Sequence, residues 1–213
     1  MIKIELPLHP ENQVAMARYM QDQFKFNGVK APERHLLERD IWSAVKHYSA
    51  TEMLALIRQL YAQEAREYQY LAIDLAVRAK RIWQLADLQD LLAVVTDKAW
   101  WDTIDIWRKL YSEYIKLHPE QFDVIWALFA GNDNFWLRRI SLILQLGFKN
   151  QTRLMHLTQA IEADQATDEF FIQKAIGWAL REYAKTDADW VRQFVATHQL
   201  ASLAQKEALK QIK

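Results

Sequence analysis

The sequence predicts an all-α fold built from helices paired along the chain. Only 4 Gly and 4 Pro punctuate its 213 residues, and tight β-turns depend on both residue types. From residue 10 onward, apolar side chains recur at steps of three and four, the spacing of amphipathic helices. About twelve such segments follow one another with short connections. This count favours six antiparallel pairs stacked as a helical-repeat solenoid, with a compact irregular bundle as the alternative.

Punctuating residues set the expected ends of these helices. Pro32 is placed as a first helical residue, where its missing N–H is not needed. Ser49 with Glu52 has the spacing of a capping box for the third helix, and Ser202 with Gln205 has it for the twelfth. The predicted segments cover residues 11–23, 32–45, 49–60, 65–80, 85–95, 101–111, 119–131, 134–148, 154–161, 168–183, 189–198 and 202–213. No composition shift divides them, so we expect one domain over residues 1–213.

The composition excludes several kinds of site. The 27 Lys and Arg balance the 27 Asp and Glu, so any basic surface for nucleic acid must be local. The chain has no Cys, which excludes disulfides, thiol nucleophiles and Cys-based metal sites. The six His are scattered, without metal-ligand spacing, and we expect neither a metal nor a cofactor. Without a signal pattern or a membrane-length apolar run, we expect a cytoplasmic protein. We also expect a monomer.

The stretch 100–105, WWDTID, begins the predicted sixth helix. Trp101 and Asp105 are four residues apart and therefore share a helix face. A carboxylate beside the face of an indole attracts positive charge, so the pair suits a cationic substrate or transition state. An indole that merely covers a salt bridge would give the same pattern. Asp102 could be a second hydrolytic carboxylate, but we expect it to cap the helix or to be solvated. The residues expected to pack inward are Ile104, Trp107 and Tyr111.

Two later segments, 134–149 and 170–181, carry basic side chains and no acid. Such faces can hold phosphates, or they can be solvated without further consequence. Trp178 shares a helix face with Lys174 and Arg181. Most of the nine Trp residues are expected to be core or rim. The basic residues of the two segments are Arg138, Arg139, Lys149, Lys174 and Arg181.

Taken together, these stretches resemble the AlkD-type family of bacterial DNA alkylation repair enzymes, which are DNA glycosylases. The resemblance covers nearly the whole chain and follows one order. The stretches that carry it are MARYM at 16–20, GVKAPER at 28–34, REYQY at 66–70, WWDTID at 100–105, WLRR at 136–139, FFIQKAIGWALREYAKT at 170–186 and QKEALK at 205–210. One departure lies at 31–35, where members commonly carry Thr before the Pro and Arg in place of His35.

The resemblance implies a curved stack of HEAT-like helical pairs whose concave face holds duplex DNA. It places Trp101, Asp105, Arg139 and Trp178 in a catalytic cleft. It also implies contacts to the DNA backbone from Tyr19 and Arg181. With the basic residues of the two later segments and of the stretch 28–34, the residues expected to bind DNA are Tyr19, Lys30, Arg34, Arg138, Lys149, Lys174 and Arg181.

The implied reaction is hydrolysis of the N-glycosidic bond of cationic alkylated purines, such as 3-methyladenine and 7-methylguanine, in base excision repair. The base is already cationic, so no general acid is needed to release it, unlike in two-carboxylate glycosidases. Asp105 would stabilise the sugar cation and orient the attacking water, with Trp101 and Trp178 offering their π-faces. Two alternatives stay open: a non-catalytic DNA-binding relative, and a helical-repeat scaffold for a protein partner.

Overall fold

The computed structural model describes residues 2–212, and within that range every regular element is helical. Twelve α-helices follow the predicted order, which confirms the all-α prediction. They divide into two compact units, Met1–Lys98 and Ala99–Lys213, and the single domain expected from the sequence stays a prediction. The helices are α1 Pro10–Tyr19, α2 Ala31–Val45, α3 Ala50–Tyr61, α4 Arg66–Arg78, α5 Leu85–Thr96, α6 Trp101–Leu117, α7 Phe122–Ala127, α8 Phe135–Ile143, α9 Leu154–Asp164, α10 Phe170–Tyr183, α11 Ala188–Thr197 and α12 Ser202–Leu209.

The first unit contains α1 to α5. Helix α4 packs on α2 and α3, and α3 also packs on α5. The predicted capping box is confirmed: Ser49 N donates to Glu52 Oε2 at 2.8 Å and Glu52 N donates to Ser49 Oγ at 3.3 Å. The fully buried Glu67 accepts hydrogen bonds from the backbone N–H groups of Asn27, Gly28 and Val29. These bonds fix the turn that precedes α2.

The second unit shows the repeat most clearly. Helices α6, α8, α10 and α12 contact one another in series, and α7, α9 and α11 each pack on the even-numbered helix before them. Apolar side chains of α8 to α12 form one core between these two rows, including Ile143, Ile161, Ile172 and Leu180. All the residues predicted for the catalytic cleft lie on the even-numbered helices: Trp101 and Asp105 on α6, Arg139 on α8 and Trp178 on α10.

Gly177 sets the close approach of α10 and α12. A Cβ atom at this position would lie 2.4 Å from Cβ of Glu207 and 2.9 Å from the carbonyl oxygen of Ala204. Any larger residue would force the two helices apart. The absence of a side chain at Gly177 thus brings Glu207 directly onto the face of α10.

Several predicted helix ends were wrong. Helix α1 stops at Tyr19 because Gln21 and Asp22 adopt left-handed backbone angles, with φ of 56° and 57°. Helix α8 stops at Ile143 instead of running to residue 148. The twelfth helix has no Ser202–Gln205 capping box, because Ala201 is its N-cap and Ser202 is already helical. Pro119 opens a short 3₁₀ turn before α7. Over residues 2–212, the helices are too short or too polar to cross a bilayer.

Candidate active site

Asp105 of α6 and Arg139 of α8 form a two-bond ion pair, called here the Asp105 pair. Arg139 Nε donates to Asp105 Oδ1 and Arg139 Nη2 donates to Asp105 Oδ2, each at 2.9 Å. The Arg139 side chain is 5% exposed and the Asp105 side chain is 17% exposed. This parallel geometry is the strong, orientation-specific form of an arginine–carboxylate contact. The structure therefore joins two residues that the sequence places 34 positions apart.

The third nitrogen of the same guanidinium reaches a third helix. Arg139 Nη1 donates to the backbone carbonyl of Phe171 in the first turn of α10. Arg139 thus ties α6, α8 and α10 together, and all its nitrogens are engaged. The phosphate contact expected of Arg139 from the sequence stays a prediction, but in this state its hydrogen bonds go to the protein.

Burial raises the pKa of Asp105 above its ordinary value of 3.8. The hydrogen bonds and positive charge of Arg139 oppose this rise, and the charge of Arg108 does so as well. Each carboxylate oxygen uses one acceptor position on Arg139 and keeps another for a further donor. A water molecule or a cationic sugar can therefore approach Asp105 from its exposed side.

The two predicted indoles lie on the helices that Arg139 links. Trp101 is the first residue of α6 and partly buried, one turn before Asp105. Trp178 lies seven residues after Phe171 in α10, hence two turns along the same face. It packs against the core while remaining partly exposed. Trp101 and Asp105 lie on one helix, as their spacing predicted, and their joint role in a catalytic cleft stays a prediction.

An aromatic cluster borders the Asp105 pair and was not anticipated from the sequence. The rings of Trp100, Trp136 and Phe171 pack together, with centroids 5.0 to 5.6 Å apart. Nε1 of Trp100 is buried and has no hydrogen-bond partner among residues 2–212. Because Phe171 also supplies the carbonyl that Arg139 binds, the cluster fixes that carbonyl. The only sequence signal for it was the aromatic doublets WW, FW and FF.

Asp102 is not solvated, contrary to one of the two expectations for it. Trp100 is the N-cap of α6 and its side chain makes no capping hydrogen bond, and Asp102 lies inside the first turn. Its exposed fraction is 6%, so it is not solvated. A carboxylate in the first turn of a helix is favoured by the helix dipole. Its negative charge also contributes to raising the pKa of Asp105.

The basic residues predicted on α8 and α10 are neutralised by acids from other helices. Arg138 Nε contacts both oxygens of Asp164 in α9, at 3.0 and 3.1 Å. We call these two residues the Asp164 pair. Glu207 of α12 accepts hydrogen bonds from Lys174 and Arg181, which lowers the pKa of Glu207. Glu207, Lys174 and Arg181 are called here the Glu207 group. The segments 134–149 and 170–181 contain no acid in sequence, but in the structure acids from other helices pair with their arginines and with Lys174.

The remaining predicted DNA contacts differ in exposure. Tyr19 at the end of α1 is 71% exposed, and Lys30 is the exposed N-cap of α2. Lys149 is exposed in a short 3₁₀ turn, with φ of 54°. Arg34 is only 8% exposed, and its guanidinium lies over the ring of Tyr70 at 4.7 Å. Their role as DNA contacts stays a prediction.

One group of possible metal ligands occurs in the first unit. Ligand atoms of His35, Glu38 and Asp74 lie within 4.8 Å of one another. Two arginines already neutralise its carboxylates: Arg78 Nε lies 2.9 Å from Glu38 Oε1, and Arg34 Nε lies 3.5 Å from Asp74 Oδ2. A divalent cation would have to compete with both guanidinium groups, so we assign no metal to this group.

Comparisons with known proteins agree with this architecture. The sequence model of the family described as "DNA alkylation repair enzyme" matches residues 5–212. A solved structure described as a predicted DNA alkylation repair enzyme from Enterococcus faecalis is 40% identical, with a TM-score of 0.96, and the match covers 99% of both chains. No protein with a curated description matches the chain.

Two structures from Streptococcus mutans are more distant. The smu.31 structure is 15% identical with a TM-score of 0.62, covering 94% of this chain and 96% of that one. The AlkD2 structure is 18% identical with a TM-score of 0.64, covering 94% of this chain and 98% of that one. At these identities the two structures establish the shared helical-repeat fold alone.

Proposed function

The chain belongs to the DNA alkylation repair enzyme family, and from that premise we propose that it is a DNA glycosylase. Its proposed substrate is duplex DNA containing cationic alkylated purines, such as 3-methyladenine and 7-methylguanine. The observation that carries the proposal is the Asp105 pair: an accessible carboxylate held in place by a buried arginine, one helical turn from an indole. The protein would act as a monomer without metal or cofactor.

The chemistry asks little of the protein beyond charge and position. An alkylated purine that already carries a positive charge leaves without protonation, and the sugar becomes an oxocarbenium-like cation. A preorganised carboxylate stabilises such a charge more in the transition state than in the ground state. Asp105 would supply this carboxylate, and its remaining acceptor positions would orient the attacking water.

Arg139 has a positioning role in this mechanism. Its two hydrogen bonds fix the orientation of the Asp105 carboxylate, and they favour the ionised form that burial disfavours. Its charge also offsets part of the field of Asp105 at the sugar. The indoles of Trp101 and Trp178 would add attraction through their π-faces, worth about 0.5–2 kcal/mol each.

The test incubates the purified protein with methylated duplex DNA, with and without EDTA in the reaction. Chromatography then measures the 3-methyladenine and 7-methylguanine that are released. We expect excision that EDTA does not diminish. Trp101→Ala should slow single-turnover excision about tenfold, the equivalent of about 1.4 kcal/mol. Trp190→Ala on α11 is the matched control, because Trp190 is also partly buried but stacks on Phe194. Duplex binding without any base release would favour the non-catalytic alternative.

A further inference from the structure

Arg108 is a cation of this site that the sequence did not single out. It lies three residues after Asp105 on α6, about 4.5 Å along the helix axis and on the same face. Its side chain is partly buried, and its Nε is buried without a hydrogen-bond partner among residues 2–212. The carboxylates that act on its charge belong to Asp105, Glu113 of its own helix and Glu182 of α10.

Arg108 differs in its ion pairing from the other arginines of α6, α8 and α10. Arg138, Arg139 and Arg181 each donate to a carboxylate at hydrogen-bond distance. Within the described chain, no salt bridge of this kind involves Arg108. Burial accordingly lowers the pKa of Arg108, and the three carboxylates only partly oppose that effect. Because the side chain is partly exposed and has no carboxylate at hydrogen-bond distance, its guanidinium is suited to an acceptor from outside the protein.

We propose that Arg108 binds a phosphate of the DNA backbone next to the damaged nucleotide. This inference rests on the proposed function and adds a residue to its substrate contacts. A guanidinium presents several N–H groups in one plane and matches the oxygens of a phosphate. Arg139 is occupied by Asp105 and Phe171, whereas the partly exposed side chain of Arg108 makes no salt bridge within the described chain. A phosphate bound one turn from Asp105 would hold the adjoining sugar against that carboxylate.

The test is the salt dependence of duplex binding, measured by fluorescence anisotropy with a duplex carrying a tetrahydrofuran abasic site. Each phosphate contact contributes about 0.9 to the slope of log K against log salt concentration. Arg108→Gln should reduce the slope by about 0.9 and weaken binding roughly tenfold at low salt. Arg108→Met is a second variant whose apolar chain suits a buried position. Arg192→Gln is the control, because Arg192 is exposed and pairs with Asp189 on α11.

Arg108→Lys separates geometry from charge. It keeps the positive charge, so the slope should stay near the wild-type value, while the loss of the planar donor set should weaken binding by a smaller factor than Arg108→Gln does. Circular dichroism of each variant checks the fold.

An unchanged slope in both Arg108→Gln and Arg108→Met would overturn the inference. So would a change in the pH profile of excision without a change in binding, because Arg108 would then act only on Asp105. If the wild-type protein bound the duplex without releasing bases, the glycosylase proposal would fail, and the slope would still decide the role of Arg108. If the wild-type protein did not bind DNA, both proposals would fail.

Discussion

Two consecutive arginines of α8 form ion pairs of opposite character. In the Asp105 pair the cation is the buried partner: Arg139 is 5% exposed, whereas Asp105 is 17% exposed. In the Asp164 pair the order is reversed, with Arg138 at 23% and Asp164 at 7%. Arg138 also donates to the carbonyls of Asn132 and Asp133 in the loop before α8. The two neighbouring arginines therefore each bind an aspartate, but the buried partner is the arginine in one pair and the aspartate in the other.

The difference favours Asp105, as proposed, as the carboxylate that meets a substrate. Asp164 is enclosed and its pair fastens α9 and a loop to α8, a structural task. Asp105 is held by a buried arginine and presents its open side outward, which is the arrangement a reactive carboxylate needs. Burial nevertheless raises the pKa of Asp105, and perturbed pKa values are typical of functional sites. An ion pair alone would not have distinguished the two.

The strongest test exchanges each acid for its amide. Asp105→Asn removes the charge that opposes the developing sugar cation while keeping the shape, so single-turnover release of 7-methylguanine should slow about 10²–10³-fold. Asp164→Asn breaks the ion pair of Arg138, the residue next to Arg139 on α8, and should leave the excision rate of the folded enzyme unchanged. Asp102→Asn provides a further comparison. It removes a buried charge that contributes to raising the pKa of Asp105, and it should reduce excision much less.

The catalytic assignment would be wrong if Asp164→Asn or Asp102→Asn abolished excision while Asp105→Asn excised normally. Melting temperatures of all three variants separate lost chemistry from lost structure.

The same two amides should also differ in stability. Asp164→Asn gives up a charge-assisted contact with Arg138 and should lower the free energy of unfolding by about 1–3 kcal/mol at neutral pH. Asp105→Asn leaves the guanidinium of Arg139, which is 5% exposed, without its counter-charge, and should lower the free energy of unfolding by about 3–5 kcal/mol. Urea unfolding measures both variants, and a smaller loss for Asp105→Asn than for Asp164→Asn would contradict this ranking.

The helices were predictable because their signals are local. Apolar spacing and the Ser49–Glu52 capping box act within a few residues, and the structure has both. The ends of α1 and α8 were not predictable from the sequence. No strong local rule gives the left-handed residues Gln21 and Asp22 or the turn after Ile143. Glycine is the usual residue at positive φ, and neither Gln21 nor Asp22 is one.

The site was predictable only in part for a related reason. Spacing placed Trp101 and Asp105 on one face, but no periodicity relates Asp105 to Arg139, so that grouping came from the family resemblance. Reading helices one at a time also left the segment 170–181 of α10 without an apparent counter-charge. Its counter-charge, Glu207, lies 33 residues beyond Lys174.

The pH dependence of excision should separate the two arginines. Excision should fall as the pH drops through the pKa of Asp105, because the protonated carboxyl no longer stabilises a cation. Since burial raises that pKa, the fall should begin above the range of an ordinary aspartate. Arg139→Lys replaces two fixed hydrogen bonds by a mobile point charge, so the fall should move to higher pH. Arg138→Lys should leave the profile in place, and a profile shifted equally by both would contradict the assignment.

The smallest expected effect concerns the Glu207 group, where the cations are again the more exposed partners: Lys174 at 38% and Arg181 at 22%, against 16% for Glu207. If these cations face DNA, Glu207 competes with phosphates for them. Glu207→Gln should then tighten duplex binding a few-fold and steepen its salt slope by up to about 1. Glu162→Gln removes an exposed acid from α9 and controls for net charge. Equal effects of the two variants would show that Lys174 and Arg181 only fasten α12 to α10, as Arg138 fastens α9 to α8.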